Sequence, residues 1–308
     1  MVGRWRVNEI TGQTRVLGII GYPLIYTLSP NMHNAALKEV ALDYRYLPFV
    51  VAPEHLASAI AGIRALGIAG VNVTMPHKET VIEFLDEISP EARMIGAVNT
   101  IHNVDGHLKG YNTDATGFIR SLREELVDPE GRHAIILGVG GAARAVAVAL
   151  INEGVASITL LGRTVEKVEA FKVHLLGSFG QFSIKTLSFD DDLADIFEVG
   201  DLVVNATPIG MKDSTDLLPV PLEHVDSRHF IYDLIYTPSE TTLITAAKDK
   251  GAKAVNGLGM LLYQAATAFE IWTGTPAPIA IMRDALLIGL EGGDRSKHAQ
   301  KKDKRFSS

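Results

Sequence analysis

Ala134-Ile135-Ile136-Leu137-Gly138-Val139-Gly140-Gly141-Ala142-Ala143-Arg144-Ala145 runs from an apolar stretch through a glycine cluster into an alanine-rich one. The order predicts a strand, a tight turn and the first turns of a helix. Gly138, Gly140, Gly141 and Ala142 carry little or no side chain, so backbone N–H groups can approach a pyrophosphate at the helix N-terminus, where the dipole favours negative charge. A glycine-rich turn alone is a weak signal, but here it has the strand before it and the helix after it that the motif needs. Further strands are expected near 157–161, 183–188, 201–205, 229–235 and 252–255, alternating with helices. That alternation is the pattern of a doubly wound, Rossmann-type sheet.

The end of the second strand in such a sheet decides between two cofactors. Enzymes that use NAD place a carboxylate there, on the ribose 2′-hydroxyl. This chain has Gly162-Arg163-Thr164, with Lys167 about one helical turn later. Arg163 can pair with a 2′-phosphate, Thr164 can donate a hydrogen bond, and no acid is present to repel the phosphate. NADP(H) is therefore expected over NAD.

Working towards the N-terminus, Asp128-Pro129-Glu130-Gly131 is a breaker cluster and marks a domain boundary. Before it, strands are expected over Val16–Gly21, Tyr44–Val51 and Ile68–Thr74, with helices beginning near Ser29 and His55. A helix is expected after Pro76, whose ring suits a first helical turn. Two strands, Ala97–Ile101 and His107–Tyr111, flank Val104-Asp105-Gly106, whose Asp-Gly step signals a hairpin. A helix over Thr116–Leu126 leads to the boundary. After Gly257 come two helical stretches, Leu258–Trp272 and Ala277–Leu290, with no strand left to pair, so they are expected to return to the first domain. The fold class is α/β with two domains: residues 1–117 plus 261–308 for substrate, and 118–260 for the nucleotide. The charged, Gly- and Ser-containing end from Glu291 (291–308) reads as a flexible tail.

Composition narrows the chemistry. The chain has no Cys, which excludes disulfides, thiolate metal ligands and a thiol nucleophile, and fits a reducing cytoplasm. Its ten His include no HExxH pair or other compact ligand set, so no metal is expected. A formal net charge of −7 argues against a nucleic-acid partner. The apolar run from Ala134 to Ile151 approaches membrane-span length, but its glycines and Arg144 suit a strand turning into a helix, and no membrane role is expected. The N-terminus lacks the apolar core of a signal peptide.

Three segments of the first domain carry a family resemblance: Gly21-Tyr22-Pro23-Leu24-Ile25-Tyr26-Thr27-Leu28-Ser29-Pro30 with His33-Asn34; Asn72-Val73-Thr74-Met75-Pro76-His77-Lys78; and Gly96-Ala97-Val98-Asn99-Thr100 leading to Asn112-Thr113-Asp114. In the second domain the glycine turn, Asn205-Ala206-Thr207-Pro208 with Gly210-Met211, Asp233-Leu234-Ile235-Tyr236 and the Gly257 to Gln264 segment follow in order. Over about residues 16–290 the chain resembles the shikimate dehydrogenase family. The resemblance implies reversible hydride transfer between NADPH and the ring ketone of 3-dehydroshikimate, giving shikimate for aromatic amino-acid biosynthesis. It also implies a monomer or homodimer.

By this resemblance Lys78 and Asp114 are the catalytic pair. As hydride reaches the carbonyl carbon, charge grows on oxygen, and an ammonium can stabilise it and deliver a proton. A carboxylate nearby favours the ammonium form and orients it. The resemblance places Thr27 and Ser29 on the substrate carboxylate, and Thr74, Asn99, Asp114 and Gln264 on ring hydroxyls, with Tyr236 close by. Thr207, Leu234 and Gly257 join the cofactor set. From the residues alone, Ser29 before Pro30 also reads as a helix N-cap, Thr74 as a strand end and Asn99 as a turn residue. His33, His77 and His102 receive no chemistry.

Two positions depart from the family pattern. Thr27 stands where Ser is common, adding a methyl beside the carboxylate. Gly162 replaces a common Asn before Arg163-Thr164, losing a side-chain hydrogen bond near the adenosine. Quinate or dual shikimate/quinate dehydrogenase is the alternative within enzymes. A non-catalytic nucleotide-binding sensor is the alternative outside them, against which the presence of both Lys78 and Asp114 speaks.

Overall fold

The computed structural model describes residues 10–24, 27–211 and 220–303, with side chains as far as Glu291. The chain divides into two compact units: Met1–Ser89, Val98–Thr113 and Ala265–Ser308 form one, Pro90–Ala97 and Asp114–Gln264 the other.

In the first unit the strands β1 (Arg15–Gly21), β2 (Tyr44–Val50), β3 (Gly70–Val73), β4 (Glu87–Ile88), β5 (Thr100–Val104) and β6 (His107–Tyr111) form one sheet in the order β2-β1-β3-β5-β6-β4. β1 pairs in parallel with both β2 and β3, while β3 pairs antiparallel with β5, Asn72 opposite Thr100. The sheet is thus mixed. The expected hairpin is present, with Asp105 at φ 52° and Gly106 at φ 89°, the positive pair a two-residue turn needs to match strand twist. Its first strand begins at Thr100 rather than Ala97, because Val98 N–H bonds to the Lys78 carbonyl, away from the hairpin. The helices α1 (Ser29–Glu39) and α2 (Leu56–Ala65) connect the parallel strands.

The helix expected at Pro76 does not form. His77 N–H turns back onto the Thr74 carbonyl at 3.0 Å, and only a short 3₁₀ turn follows over Thr80–Phe84. The last helix, α10 (Ile279–Asp303), packs on α1 within this unit. Its backbone is helical past Glu291, so most of the stretch read as a tail is helix. Residues 304–308 lie outside the described residues.

The second unit carries β7 (His133–Leu137), β8 (Ser157–Gly162), β9 (Ile184–Ser188), β10 (Leu202–Asn205), β11 (Phe230–Asp233) and β12 (Lys253–Asn256), all parallel, in the order β12-β11-β10-β7-β8-β9. This is the doubly wound Rossmann-type order, reversing between β7 and β10. Within β7, Ala134 and Ile136 enter one apolar core with Val146, Phe171 and Tyr232, while Ile135 and Leu137 enter another with Phe197 and Ile231. Alternation along a strand feeds both faces, which is why the run is apolar throughout. Each fully buried Ile, Leu or Phe contributes about 1.5–3 kcal/mol. The helices α5 (Gly141–Asn152), α6 (Val165–Phe179), α7 (Ala194–Val199) and α8 (Thr242–Asp249) alternate with these strands.

The short α3 (Pro90–Ile95) was not anticipated, and α4 (Asp114–Glu124) starts two residues before the expected Thr116, making Asp114 its first residue. The helix α9 (Leu258–Thr273) begins in this unit. Gly117 lets α4 approach α9, since a Cβ there would stand 2.7 Å from the Gln264 nitrogen. Among the described residues, no helix is long and apolar enough to cross a membrane.

Candidate active site

At the carboxyl end of β7 the chain turns at Gly138, whose φ of +106° lies in a region side chains disfavour. Its N–H donates to the Leu161 carbonyl at 2.7 Å, and a Cβ would meet the Ala206 carbonyl at 3.0 Å. The turn is therefore held against the ends of both β8 and β10, the strands flanking the switch point. Gly140 is extended at φ −78° and has nothing within 4 Å of a would-be Cβ, so the space before α5 is open to its backbone. Gly141 and Ala142 supply the first helical positions. Together these leave the backbone at the N-terminus of α5 open to an anion.

Arg163, Thr164 and Lys167 are exposed where β8 passes into α6, Thr164 being the N-cap. Neither Arg163 nor Lys167 forms an ion pair among the described residues, leaving both cations available for a phosphate. Gly162 has a packing reason: a Cβ would meet Val168 Cγ2 at 2.8 Å, so a larger residue requires Val168 to move.

Thr207, Leu234 and Gly257 lie on loops after β10, β11 and β12 and are tied together. Thr207 N–H and Oγ1–H both donate to Asn205 Oδ1, at 3.0 and 2.7 Å. Asn205 in turn donates to Asp233 Oδ1 at 2.9 Å. Gly257 N–H donates to the Ile235 carbonyl at 3.2 Å, and a Cβ at Gly257 would overlap the Leu234 carbonyl. Tyr236 is half-buried, and burial raises its phenol pKa. Asp114 and Gln264 are buried in this unit, Gln264 donating to the Leu261 carbonyl at 3.0 Å.

The other proposed substrate residues belong to the first unit. Thr27 Oγ1 accepts Ser29 N–H at 3.3 Å, so the two hydroxyls share one turn. The N-cap of α1 is Leu28, not Ser29, and no side chain caps that end. Ser29 is nearly fully buried. Thr74 follows β3, its methyl filling the space that the missing Gly21 side chain leaves, and Tyr22 N–H bonds the Met75 carbonyl at 2.9 Å. The backbone leaving β1 and the backbone leaving β3 towards Lys78 are joined there.

Lys78 is half-buried and its carbonyl accepts Val98 N–H at 2.7 Å. His77, beside it, is buried, with its Nε2 2.7 Å from the Val51 carbonyl. Asn99 is buried and bonded to Thr113, the residue before Asp114.

Three groups received no role from the sequence. Tyr46 is buried, gives its hydroxyl proton to Asn72 Oδ1 at 2.7 Å and stacks on His33 with ring centroids 4.3 Å apart. His33 is fully buried, its ring nitrogens have no hydrogen-bond partner among the described residues, and burial lowers its pKa to about 3. Asp233 is fully buried and bonded to Asn205, Ile235 and Thr241. Helical spacing from Ala36 and Leu37, buried positions of α1, was the available signal for His33, and an acid ending an apolar strand the signal for Asp233. Among the described residues, no group of three or more His, Asp or Glu is placed to hold a metal ion.

Comparison with known proteins gives the family. Family models match at residues 19–101 (shikimate dehydrogenase substrate binding domain), 121–210 (shikimate/quinate 5-dehydrogenase) and 257–287 (shikimate 5-dehydrogenase C-terminal domain). A shikimate dehydrogenase (NADP+) of Desulforamulus reducens is 46% identical over 289 residues, covering 92% of this chain and 98% of the relative. A crystal structure of a shikimate dehydrogenase in complex with NADP+ superposes with a TM-score of 0.84 at 43% identity, over 91% of this chain and 96% of that one. The Thermus thermophilus enzyme in complex with NADP(H) and shikimate superposes with a TM-score of 0.79 at 36% identity, over 89% and 99%. The chain belongs to the shikimate dehydrogenase family.

Proposed function

We propose that the protein is an NADP-dependent shikimate dehydrogenase, reversibly reducing 3-dehydroshikimate to shikimate in the route to chorismate and the aromatic amino acids. The observation that carries the cofactor choice is the pair of exposed cations Arg163 and Lys167, without an ion-pair partner among the described residues, where β8 passes into α6, one strand from the glycine turn. The open N-terminus of α5 and the exposed Arg163 fit the pyrophosphate and the 2′-phosphate of NADP. When bound, NADPH supplies the hydride.

The chain's own residues do the rest. The Lys78 ammonium meets the oxygen of the ring ketone, stabilises the negative charge that grows there and delivers the proton. Asp114 steadies that ammonium. Thr27 and Ser29 hold the carboxylate, and Thr74, Asn99 and Gln264 hold ring hydroxyls, with Tyr236 beside them. Hydrogen-bonding groups of this kind penalise an analogue that lacks a hydroxyl, because their buried polar atoms lose a partner. With no cysteine in the chain, the reducing cytoplasm is the compartment that suits it.

Steady-state rates with shikimate and quinate, each with NADP+ and NAD+, test this reading. Shikimate with NADP+ is expected to give the highest kcat/KM by at least tenfold. A preference for quinate with NAD+ overturns the assignment. NADP+ binding without turnover of either acid identifies a nucleotide sensor instead.

A further inference from the structure

Asp233 ends β11 with its carboxylate fully buried, and no cation is among its hydrogen-bond partners. Its Oδ1 accepts Asn205 Nδ2 at 2.9 Å and Ile235 N–H at 3.1 Å, and its Oδ2 accepts the Thr241 hydroxyl at 2.7 Å. Each partner governs a loop. Asn205 orients Thr207 through two bonds to its Oδ1, and its Nδ2 also reaches the Ile209 carbonyl at 3.3 Å. Ile235 follows Leu234, and its carbonyl accepts Gly257 N–H. Thr241 caps α8 by accepting Ile244 N–H at 3.2 Å.

Burying a carboxyl among neutral donors opposes ionisation, and the Asp233 pKa is raised by that burial. A residue so costly to bury has a use for its geometry: two acceptor oxygens, fixed in one plane, take donors from the end of β10, the loop after β11 and the start of a helix. A leucine of similar bulk fills the same space but joins none of them.

The position of those loops gives the use. In a doubly wound sheet the two halves each bind one mononucleotide, meeting at the switch point. The half with Arg163 is β7-β8-β9, so the loops after β10, β11 and β12 serve the other nucleotide, the one bearing nicotinamide. We propose that Asp233 is a positioning residue for the nicotinamide half of NADP(H), setting the loops 206–210 and 234–241 through Asn205, Ile235 and Thr241. It touches neither cofactor nor substrate and acts through Thr207 and Leu234. The proposal rests on the cofactor reading above.

The test compares NADP+ with 2′,5′-ADP, a fragment that carries the adenosine and 2′-phosphate but no nicotinamide. Calorimetric Kd values are measured for wild-type protein, Asp233→Asn, Asp233→Ala and Thr241→Val. Wild-type protein that binds neither ligand overturns the cofactor reading itself, whatever the variants do. Given wild-type binding, Asp233→Ala is expected to weaken NADP+ at least tenfold and 2′,5′-ADP less than twofold. Asp233→Asn keeps an acceptor for Asn205 and Ile235 and is expected to recover most of the loss. If Asp233→Ala does not fold, Thr241→Val decides, with NADP+ weakened at least threefold and the fragment unchanged. Equal weakening of both ligands assigns Asp233 a general structural role, and no weakening of NADP+ removes its role altogether; either result overturns the proposal.

Discussion

Asn99 holds Thr113 with both ends of its side-chain amide: Oδ1 accepts Thr113 N–H at 2.7 Å, and Nδ2 donates to Thr113 Oγ1 at 2.9 Å. Val98, the preceding residue, donates its N–H to the Lys78 carbonyl at 2.7 Å. Two consecutive residues thus anchor the backbone of the proposed proton donor and the residue next to the proposed carboxylate. Geometry at Lys78 and Asp114 depends on groups that need not touch the reacting atoms.

Replacing Asn99 by Ala strands the buried Thr113 N–H and removes a proposed hydroxyl contact. An orphaned buried donor costs about 1–3 kcal/mol, so the urea midpoint should fall while KM for shikimate rises. A variant with wild-type stability and wild-type KM would show that the clasp has neither role.

Lys78→Ala should lower kcat by about a hundredfold or more, as expected for loss of a general acid, with NADP+ affinity largely kept. Steady-state turnover together with calorimetric NADP+ binding measures both. Undiminished turnover removes Lys78 from the mechanism.

Arg163→Asp puts a repelling charge where a 2′-phosphate is proposed to sit. The variant should lose roughly a hundredfold in kcat/KM with NADPH and far less with NADH, since NADH has no phosphate to repel. Equal losses with the two cofactors contradict the assignment.

His33 predicts an acid-sensitive fold. Its pKa is lowered from 6.5 to about 3 by burial. The unfolded chain therefore binds a proton between those values that the native state refuses. Stability from this residue is complete above pH 6.5 and declines as pH falls towards 3, by about 1.4 kcal/mol per pH unit. Moving from pH 7 to pH 5 should cost about 2 kcal/mol from His33. Denaturant titrations at several pH values measure the slope, and His33→Phe, which keeps a stacked ring, should flatten it. The same slope in both proteins shows that other groups set the acid limit.

Much of the architecture is local information. The run Ala134–Leu137 is strand because its residues suit a sheet buried on both faces, and Gly138 turns because a side chain at φ +106° is disfavoured. Asp105-Gly106 makes a hairpin for the same reason. Pro76 misled the reading, because a proline ring is as compatible with a tight turn as with a helix start, and the choice was made by a hydrogen bond from His77 to Thr74.

The sequence by itself determined the strands of the second sheet and the helices between them, the glycine turn and the basic end of β8, all of which follow from periodicity and backbone sterics within a few residues. Only the tertiary structure decided which polar groups find one another. Asn99 meets Thr113, Asp233 meets Asn205 and Thr241, and Tyr46 meets Asn72 across separations that no local preference encodes. A buried hydrogen bond depends on where the chain returns, and a lone His33 or Asp233 reads as an ordinary polar residue until packing removes water from around it.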